Sequence, residues 1–300
     1  MKKMFKTVAI AATATMLLGA SACADDGVIK FGTNPEFPPF EYISANGVLG
    51  EYDGIDMAIA AKIGELTGMD VEMESLEFDS LLIALQNGQI DATIAGMTIT
   101  DERKEAVNFS TPYYTATQVM IVPEDSDIEK AEDMADKKIC VIQGYTGETC
   151  VNEMGYKYEA FKKGTEAIME LVNGKCDVVV IDSATAQNYV SDNEGLKIVE
   201  DPDAFASEEY AIAVNKDNEE LLDTINGAIE TMLEDGTISE IAAQYAEADD
   251  TEEATESASE ADTEAASETE TEAASEAETE TASEAETETA SEAETETAAE

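Results

Sequence analysis

A single arginine, Arg103, stands in a chain of 300 residues whose other 15 basic residues are all lysines. Its guanidinium is a planar fork of donors that matches a carboxylate bidentately and keeps its charge in any surroundings. Thr98 and Thr100 offer hydroxyls on either side of Ile99, and Gly96 lets another group approach the backbone closely. Thr100 has the character of an N-cap, with Asp101 and Glu102 suited to the first turn of a short helix carrying Arg103. The ordinary alternative is a surface ion pair between Arg103 and a nearby glutamate. A second charged candidate is Asp182, which closes the apolar run 177–182 where a strand should meet a cleft, or else caps the helix expected over residues 183–190. Between them in sequence lies the glycine-flanked loop 143–147, opening onto a helix expected from Glu148. Free amides at such a helix start favour an anion, while the loop is too short for a nucleotide P-loop and lacks its lysine.

The rest of the composition narrows the chemistry. Histidine is absent, which removes the commonest general base, the Ser-His and Cys-His nucleophile systems and the usual zinc ligands. Net charge is -52, of which 21 acidic and no basic residues fall between Asp249 and Glu300, leaving -31 for residues 1–248. Such a balance argues against nucleic acid, whose phosphates need clustered Lys and Arg. Binding is favoured over catalysis, and no catalytic residue, cofactor or metal is expected.

The elements that must position these groups follow from periodicity and punctuation. Residues 28–33 alternate as a strand and run into the loop 34–40, whose three prolines preset an extended, rigid path. Phe37 and Phe40 on that loop are core anchors, unless one faces a pocket. A short strand 41–43 ends at a turn marked by Asn46 and Gly47. Ile55, Ile59, Ile63 and Leu66 share one helical face ended by Gly68. A strand 71–73, a helix 81–86 capped by Asp79 or Ser80 and stopped by Gly88, and a strand 90–94 complete a β-α-β-α-β order. That order calls for a parallel sheet with right-handed crossovers, and ligands gather at the carboxyl ends of its strands. Both the loop after Thr33 and the segment from Gly96 to Arg103 sit at such ends.

The second half repeats the rhythm with strands 138–142, 157–161 and 177–182, helices 165–173 and 183–190, a strand 210–214, a helix 218–234 and a last helix capped by Ser239. Two such sets of βα units suggest two lobes and a cleft. Cys140 and Cys176 belong to neighbouring strands and are the pair best placed for a disulfide, with buried thiols as the alternative and Cys150 left over.

The ends differ from the body. Lys2, Lys3 and Lys6 precede an apolar run, residues 8–20, too short to span a bilayer, so residues 1–22 are expected to be an export signal. Residues 20–23 resemble a bacterial lipobox, which implies lipidation of Cys23 and a membrane anchor on the outer face; otherwise a secretory peptidase cuts nearby. Residues 249–300, with an octad repeated at 275, 283 and 291, lack the apolar groups to offset chain entropy and are expected to be a disordered acidic tail.

Taken together, the segments 31–42, 54–56, 78–85, 96–103, 109–114 and 141–147 resemble, in order, the family 3 solute-binding proteins of amino-acid ABC importers. The resemblance covers residues 28–246 and implies an α/β, two-lobe periplasmic-binding-protein-like fold of type II, with a ligand cleft between lobes and two hinge strands. It implies a discontinuous lobe 1, residues 25–117 and 208–248, and a lobe 2, residues 118–207. Carried over by motif, Arg103 grips the α-carboxylate of a free L-amino acid with Thr98 and the backbone of Thr146. Asp182, Thr98 and the Gly96 carbonyl hold the α-ammonium. Phe37 and Phe78 flank the ligand side chain, and Asn34 reaches its polar end. Many relatives that bind basic or amide side chains carry Asp where this chain has Asn34, so a polar ligand is expected without a choice among glutamine, arginine and cystine-like compounds. The implied partners are permease subunits with a cytoplasmic ATPase, and a monomer is expected. A separate sensory receptor and a cyclohexadienyl dehydratase-like enzyme are the other readings of the same fold.

Overall fold

The structure, a computed structural model, describes residues 27–246. The export segment, Cys23 and the acidic tail lie outside the described residues.

The first sheet is built on β1 (Val28–Thr33), whose Ile29 and Phe31 are fully buried. β1 pairs in parallel with β5 (Asp70–Ser75) on one side and β6 (Ala92–Thr93) on the other. The crossovers are α1 (Ile55–Thr67) and α2 (Leu81–Gln86). α1 buries Ile55, Ile59 and Ile63, each side chain contributing roughly 1.5–3 kcal/mol on leaving water. Leu66, expected on that face, is 45% exposed in the last turn. Gly68 ends α1 at φ 73, its N–H bonded to the Gly64 carbonyl, as expected of a left-handed C-cap. Neither Asp79 nor Ser80 caps α2 with a side-chain bond; Phe78 to Ser80 form a 3-10 turn leading into it. A small antiparallel sheet, β2 (Glu36–Phe37), β3 (Glu41–Gly47) and β4 (Gly50–Asp53), flanks this body. β3 continues through the Asn46–Gly47 pair expected to turn, with an irregular register between Ile43 and Gly47.

Following α3 (Asp101–Ala106) and β7 (Asn108–Phe109), the ten-residue β8 (Tyr114–Pro123) leads into a second sheet. There β9 (Ile139–Ile142), β10 (Tyr158–Phe161) and β11 (Val178–Asp182) run parallel, and β8 lies antiparallel to both β11 and β12 (Leu196–Val199), in the order β10-β9-β11-β8-β12. Every residue of β9 and β11 is buried, which is why both read as continuous apolar runs. Helices α4 (Thr146–Glu153), α5 (Gly164–Val172) and α6 (Ser183–Ser191) pack on this sheet. α4 begins at Thr146, two residues earlier than expected.

Two strands join the sheets. The first part of β8 pairs with β13 (Ser207–Tyr210), in the register Ser207 to Thr117 and Tyr210 to Tyr114, and its second part pairs with β11 and β12. The chain crosses along β8 and returns along β13 into β14 (Ala213–Val214), which lies antiparallel between β6 and β7. Such a pair of crossing strands is the hinge of a two-lobe binding fold. α7 (Glu219–Asp235) buries Leu221, Ile225, Ile229 and Met232, and Asn218 caps it by accepting from Leu221 N. The last helix runs over residues 237–246; the Asp235 carboxylate, not Ser239, accepts at its start, from Thr237 N.

Candidate ligand-binding site

Thr100 fixes the orientation of Arg103. Its Oγ1 accepts from Arg103 N at 3.1 Å, starting α3 as the sequence suggests. The guanidinium then turns inward, donating to the Thr98 carbonyl at 2.7 Å and, across the cleft, to the Gly144 carbonyl at 2.9 Å. Its Cζ lies 5.3 Å from the Phe78 ring centroid. Among the described residues no carboxylate comes within ion-pair distance of it, so the surface-pair alternative fails. Burial pulls its pKa down, countered by the charges of Asp182 and Glu208. A charged fork with five N–H groups and two carbonyl partners has donors left for an anion.

The opposite charge comes from the second sheet. Asp182 ends β11, is 3% exposed, and occupies the N-cap position of α6 without making a cap bond. Its Oδ1 accepts instead from Tyr210 Oη at 2.5 Å. Burial pushes its carboxyl up to about 7, and the negative charge of Glu208 adds to the rise, against the hydrogen bonds of Tyr210 and Gln118. The hydroxyls of Thr98 and Thr146 both donate to Glu208 Oε2, each at 2.8 Å. Gln118 on β8 donates to Thr146 Oγ1 at 3.0 Å and to Glu208 Oε2 at 3.4 Å. The amides of Thr146 and Gly147 stand in the first turn of α4, where no intrahelical carbonyl serves them.

Gly96 is held from behind. Its φ of +52 suits glycine, and a Cβ there would lie 2.5 Å from Phe37 Cε1. Its N–H donates to Asp56 Oδ2 at 2.7 Å, and the Tyr113 hydroxyl donates to the same oxygen at 2.9 Å. Asp56 and Glu41 are fully buried, and their carboxyls face each other. Burial moves Asp56 up to about 7, and burial together with the Asp56 charge moves Glu41 well above its ordinary value.

Aromatic rings form the remaining wall. Tyr145 sits edge-on between Phe37, 5.3 Å away, and Phe78, 4.5 Å away. Its hydroxyl donates to Asn34 Oδ1 at 3.3 Å, while Asn34 Nδ2 donates to the Leu76 carbonyl at 3.1 Å, so the amide oxygen of Asn34 is the atom turned toward the cleft. The cavity measures about 10 Å³, and its lining includes Phe37, Phe78, Gly96, Thr98, Arg103, Thr146 and Asp182. An open groove of about 630 Å³ adjoins it, sharing Phe78, Arg103 and Thr146. Outside, Lys163 pairs with Glu36 at 2.5 Å and Lys162 with Asp79 at 2.6 Å, from residues near α5 to residues near β1 and α2.

Seven of the eight residues expected to bind ligand thus converge on one cavity, and Asn34 lies one hydrogen bond behind Tyr145. Four site residues were missed. Gln118 carried a signal, a lone amide at the head of the apolar run 119–122, and so did Tyr145, a ring inside the anion-favouring loop. Tyr210 reads as ordinary core. Glu208 carried none, since it lies beside the exposed Glu209 in an acidic stretch. Among the cysteines, Cys140, Cys150 and Cys176 are free thiols, so no disulfide joins Cys140 to Cys176; the Cys176 thiol donates instead to the Val178 carbonyl at 2.9 Å.

Two sheets joined by two hinge strands, with one partly buried guanidinium that pairs with no carboxylate opposite one buried carboxylate, define a two-lobe binding protein whose cleft suits a zwitterion. The chain belongs to the bacterial extracellular solute-binding proteins, family 3, which it matches over residues 29–248. It is 34% identical over 254 residues to a probable histidine-binding protein of Neisseria gonorrhoeae, covering 78% of this chain and 93% of that one. It is 31% identical to the arginine-binding extracellular protein ArtP of Bacillus subtilis, covering 77% and 93%. Among solved structures, an ancestral arginine-binding protein bound to glutamine superposes with a TM-score of 0.68 at 42% identity, over 73% of this chain and 97% of that one.

Proposed function

We propose that this protein is the extracytoplasmic receptor of an amino-acid ABC importer and captures a free L-amino acid with a nitrogen-rich, preferably cationic, side chain. The observation that carries the reading is Arg103, partly buried and without a carboxylate partner among the described residues, opposite the buried Asp182. A zwitterion leaving water needs one partner of each sign, and the two walls of this cleft supply them. Arg103, with the amide of Thr146, takes the α-carboxylate; Asp182, Thr98 and the Gly96 carbonyl take the α-ammonium. For the side chain, Phe37 and Phe78 offer ring faces suited to a guanidinium or amide. The Asn34 oxygen accepts and does not donate at the far end, which favours side chains bearing N–H groups and disfavours carboxylates. The histidine and arginine after which two of the relatives are named fit that chemistry.

The cavity holds no more than a water-sized volume in this closed arrangement, so the ligand enters as the lobes open and Tyr145 swings from between the two phenylalanines. For this motion we take residues 25–117 and 208–248 as one lobe and 118–207 as the other. Lipid attachment at Cys23 would hold the receptor at the outer membrane face, where it delivers its ligand to the permease and its ATPase. The role is binding, without turnover of the ligand.

The test is titration calorimetry after a thermal-shift screen of the free L-amino acids, in which a ligand of the folded state raises the melting temperature. Arg103→Ala should lose roughly 2–5 kcal/mol of affinity, the cost of leaving one charge of a buried pair alone, with an unchanged circular dichroism spectrum. Unchanged affinity in that variant would remove Arg103 from the site.

A further inference from the structure

Glu208 has no role in the zwitterion reading, yet its carboxylate is the point on which the two walls of the cleft meet. A hydroxyl has one proton and two lone pairs. Thr98 and Thr146 each direct that proton to the same oxygen, Glu208 Oε2, at 2.8 Å, one from each side of the cleft. Both threonines line the cavity beside Asp182. We propose that Glu208 is a positioning residue that sets the polarity of the ligand: by accepting both hydroxyl protons it leaves only lone pairs of Thr98 and Thr146 facing the cavity, and makes that wall the ammonium pole. Arg103, with N–H groups to spare, is then the carboxylate pole, and an amino acid can lie in the cleft in one direction only.

The inference rests on the amino-acid reading above and says why the ammonium end is selective. In Glu208→Gln the amide oxygen, when it takes the Oε2 position, accepts both hydroxyls less strongly than the carboxylate does, and when the amide nitrogen takes that position it must donate, which frees a threonine proton. That threonine proton then turns toward the cavity, where it opposes an ammonium and attracts a carboxylate. The charge environment changes as well. Glu208 is faced by Arg103 from α3, Asp182 from β11, Gln118 from β8, Tyr210 from its own strand and Cys150 from α4; Asp182 is further faced by Glu41 and Tyr145. Burial and then Glu208 raise the Asp182 carboxyl to about 7, so ligand binding should weaken as pH falls through that value and Asp182 takes up a proton. Removing the Glu208 charge should move this midpoint to lower pH.

The experiment compares the full-length protein with Glu208→Gln and Glu208→Asp by calorimetry, using L-arginine, L-lysine, L-histidine and L-glutamine and, for the tightest of them, the matching acid without its α-amino group. The wild type should prefer the amino acid over the des-amino acid, and in Glu208→Gln that preference should fall about tenfold to a hundredfold while the pH midpoint drops. Glu208→Asp, which keeps the charge, should retain part of the preference. An unchanged ratio in Glu208→Gln, with both affinities reduced alike and the same pH midpoint, would make Glu208 a structural bridge only and overturn the proposal. A wild type that binds none of the four would instead overturn the reading of the cleft on which the proposal stands.

Discussion

The buried pair of Glu41 and Asp56 should make this protein more stable in mild acid than in mild base, against the common pattern for acidic proteins whose carboxylates are ion-paired. Both side chains are fully buried, and apart from each other they are met by the Gly96 amide and the Tyr113 hydroxyl, which serve only one oxygen of Asp56. Burial raises Asp56 from 3.8 to about 7, and burial with the Asp56 charge raises Glu41 well above its ordinary value. A carboxyl whose folded pKa lies above its unfolded one binds more protons in the folded state, so stability falls as pH rises between the two values. The penalty is absent below the unfolded value and complete above about 7. For Asp56 the whole shift is worth about 4 kcal/mol, of which about 3 kcal/mol falls between pH 5 and 8. For a domain of this size that corresponds to a change in melting temperature on the order of 5–10 °C. Carboxyls held low by surface partners, such as Glu74 and Asp127, work in the opposite direction but only as pH falls toward 4. Relief of the negative net charge on acidification has the same sign as the pair, so the wild type alone does not decide the matter. The double variant Glu41→Gln with Asp56→Asn keeps hydrogen-bonding amides in both places and removes the titration, while Asp182 and the surface charge stay the same. Melting curves of both proteins should draw apart by several degrees from pH 5 to pH 8, the wild type losing stability faster. Two parallel curves would show that the pair holds no proton in this window and refute the reasoning.

Gly96→Ala should cost about 1–2 kcal/mol of stability from its left-handed backbone, and should weaken amino-acid binding because the new methyl displaces Phe37; urea unfolding and calorimetry would detect both, and wild-type affinity would contradict the packing described. Cys140, Cys150 and Cys176 should react slowly with a thiol reagent at pH 8 and quickly in urea, because Cys140 and Cys176 are buried out of the reagent's reach and burial raises the partly buried Cys150 to about 11. A reagent count that falls by two in the unfolded protein, and recovers with reductant, would show the disulfide instead.

What the sequence disclosed about the site divides along the range of the forces involved. Local signals were legible: Thr100 caps the helix of Arg103, Gly68 stops α1, and β11 reads as a buried strand because both its faces are covered. Arg103 was legible by rarity and Asp182 by its place at the end of an apolar run. The two-residue strand β7 was not, since no period can be seen in two residues and only its pairing to β14 defines it, and the single strand expected over 210–214 divides into the end of β13 and β14. Glu208 is the sharpest case. It contacts Thr98, 110 positions earlier, and Thr146, 62 earlier, and the bond that gives it a role exists only because β13 returns beside β8 at the hinge. Its neighbour Glu209 has the same side chain, is exposed, and lies one step along the same strand. The two differ only in which face of the strand they occupy, which a chain with period two settles by register and not by composition. Residues that hold a ligand directly can be read from their chemistry, whereas those that orient a hydroxyl proton are chosen by strand register, so the determinants of ligand direction in this cleft lie where sequence alone says least.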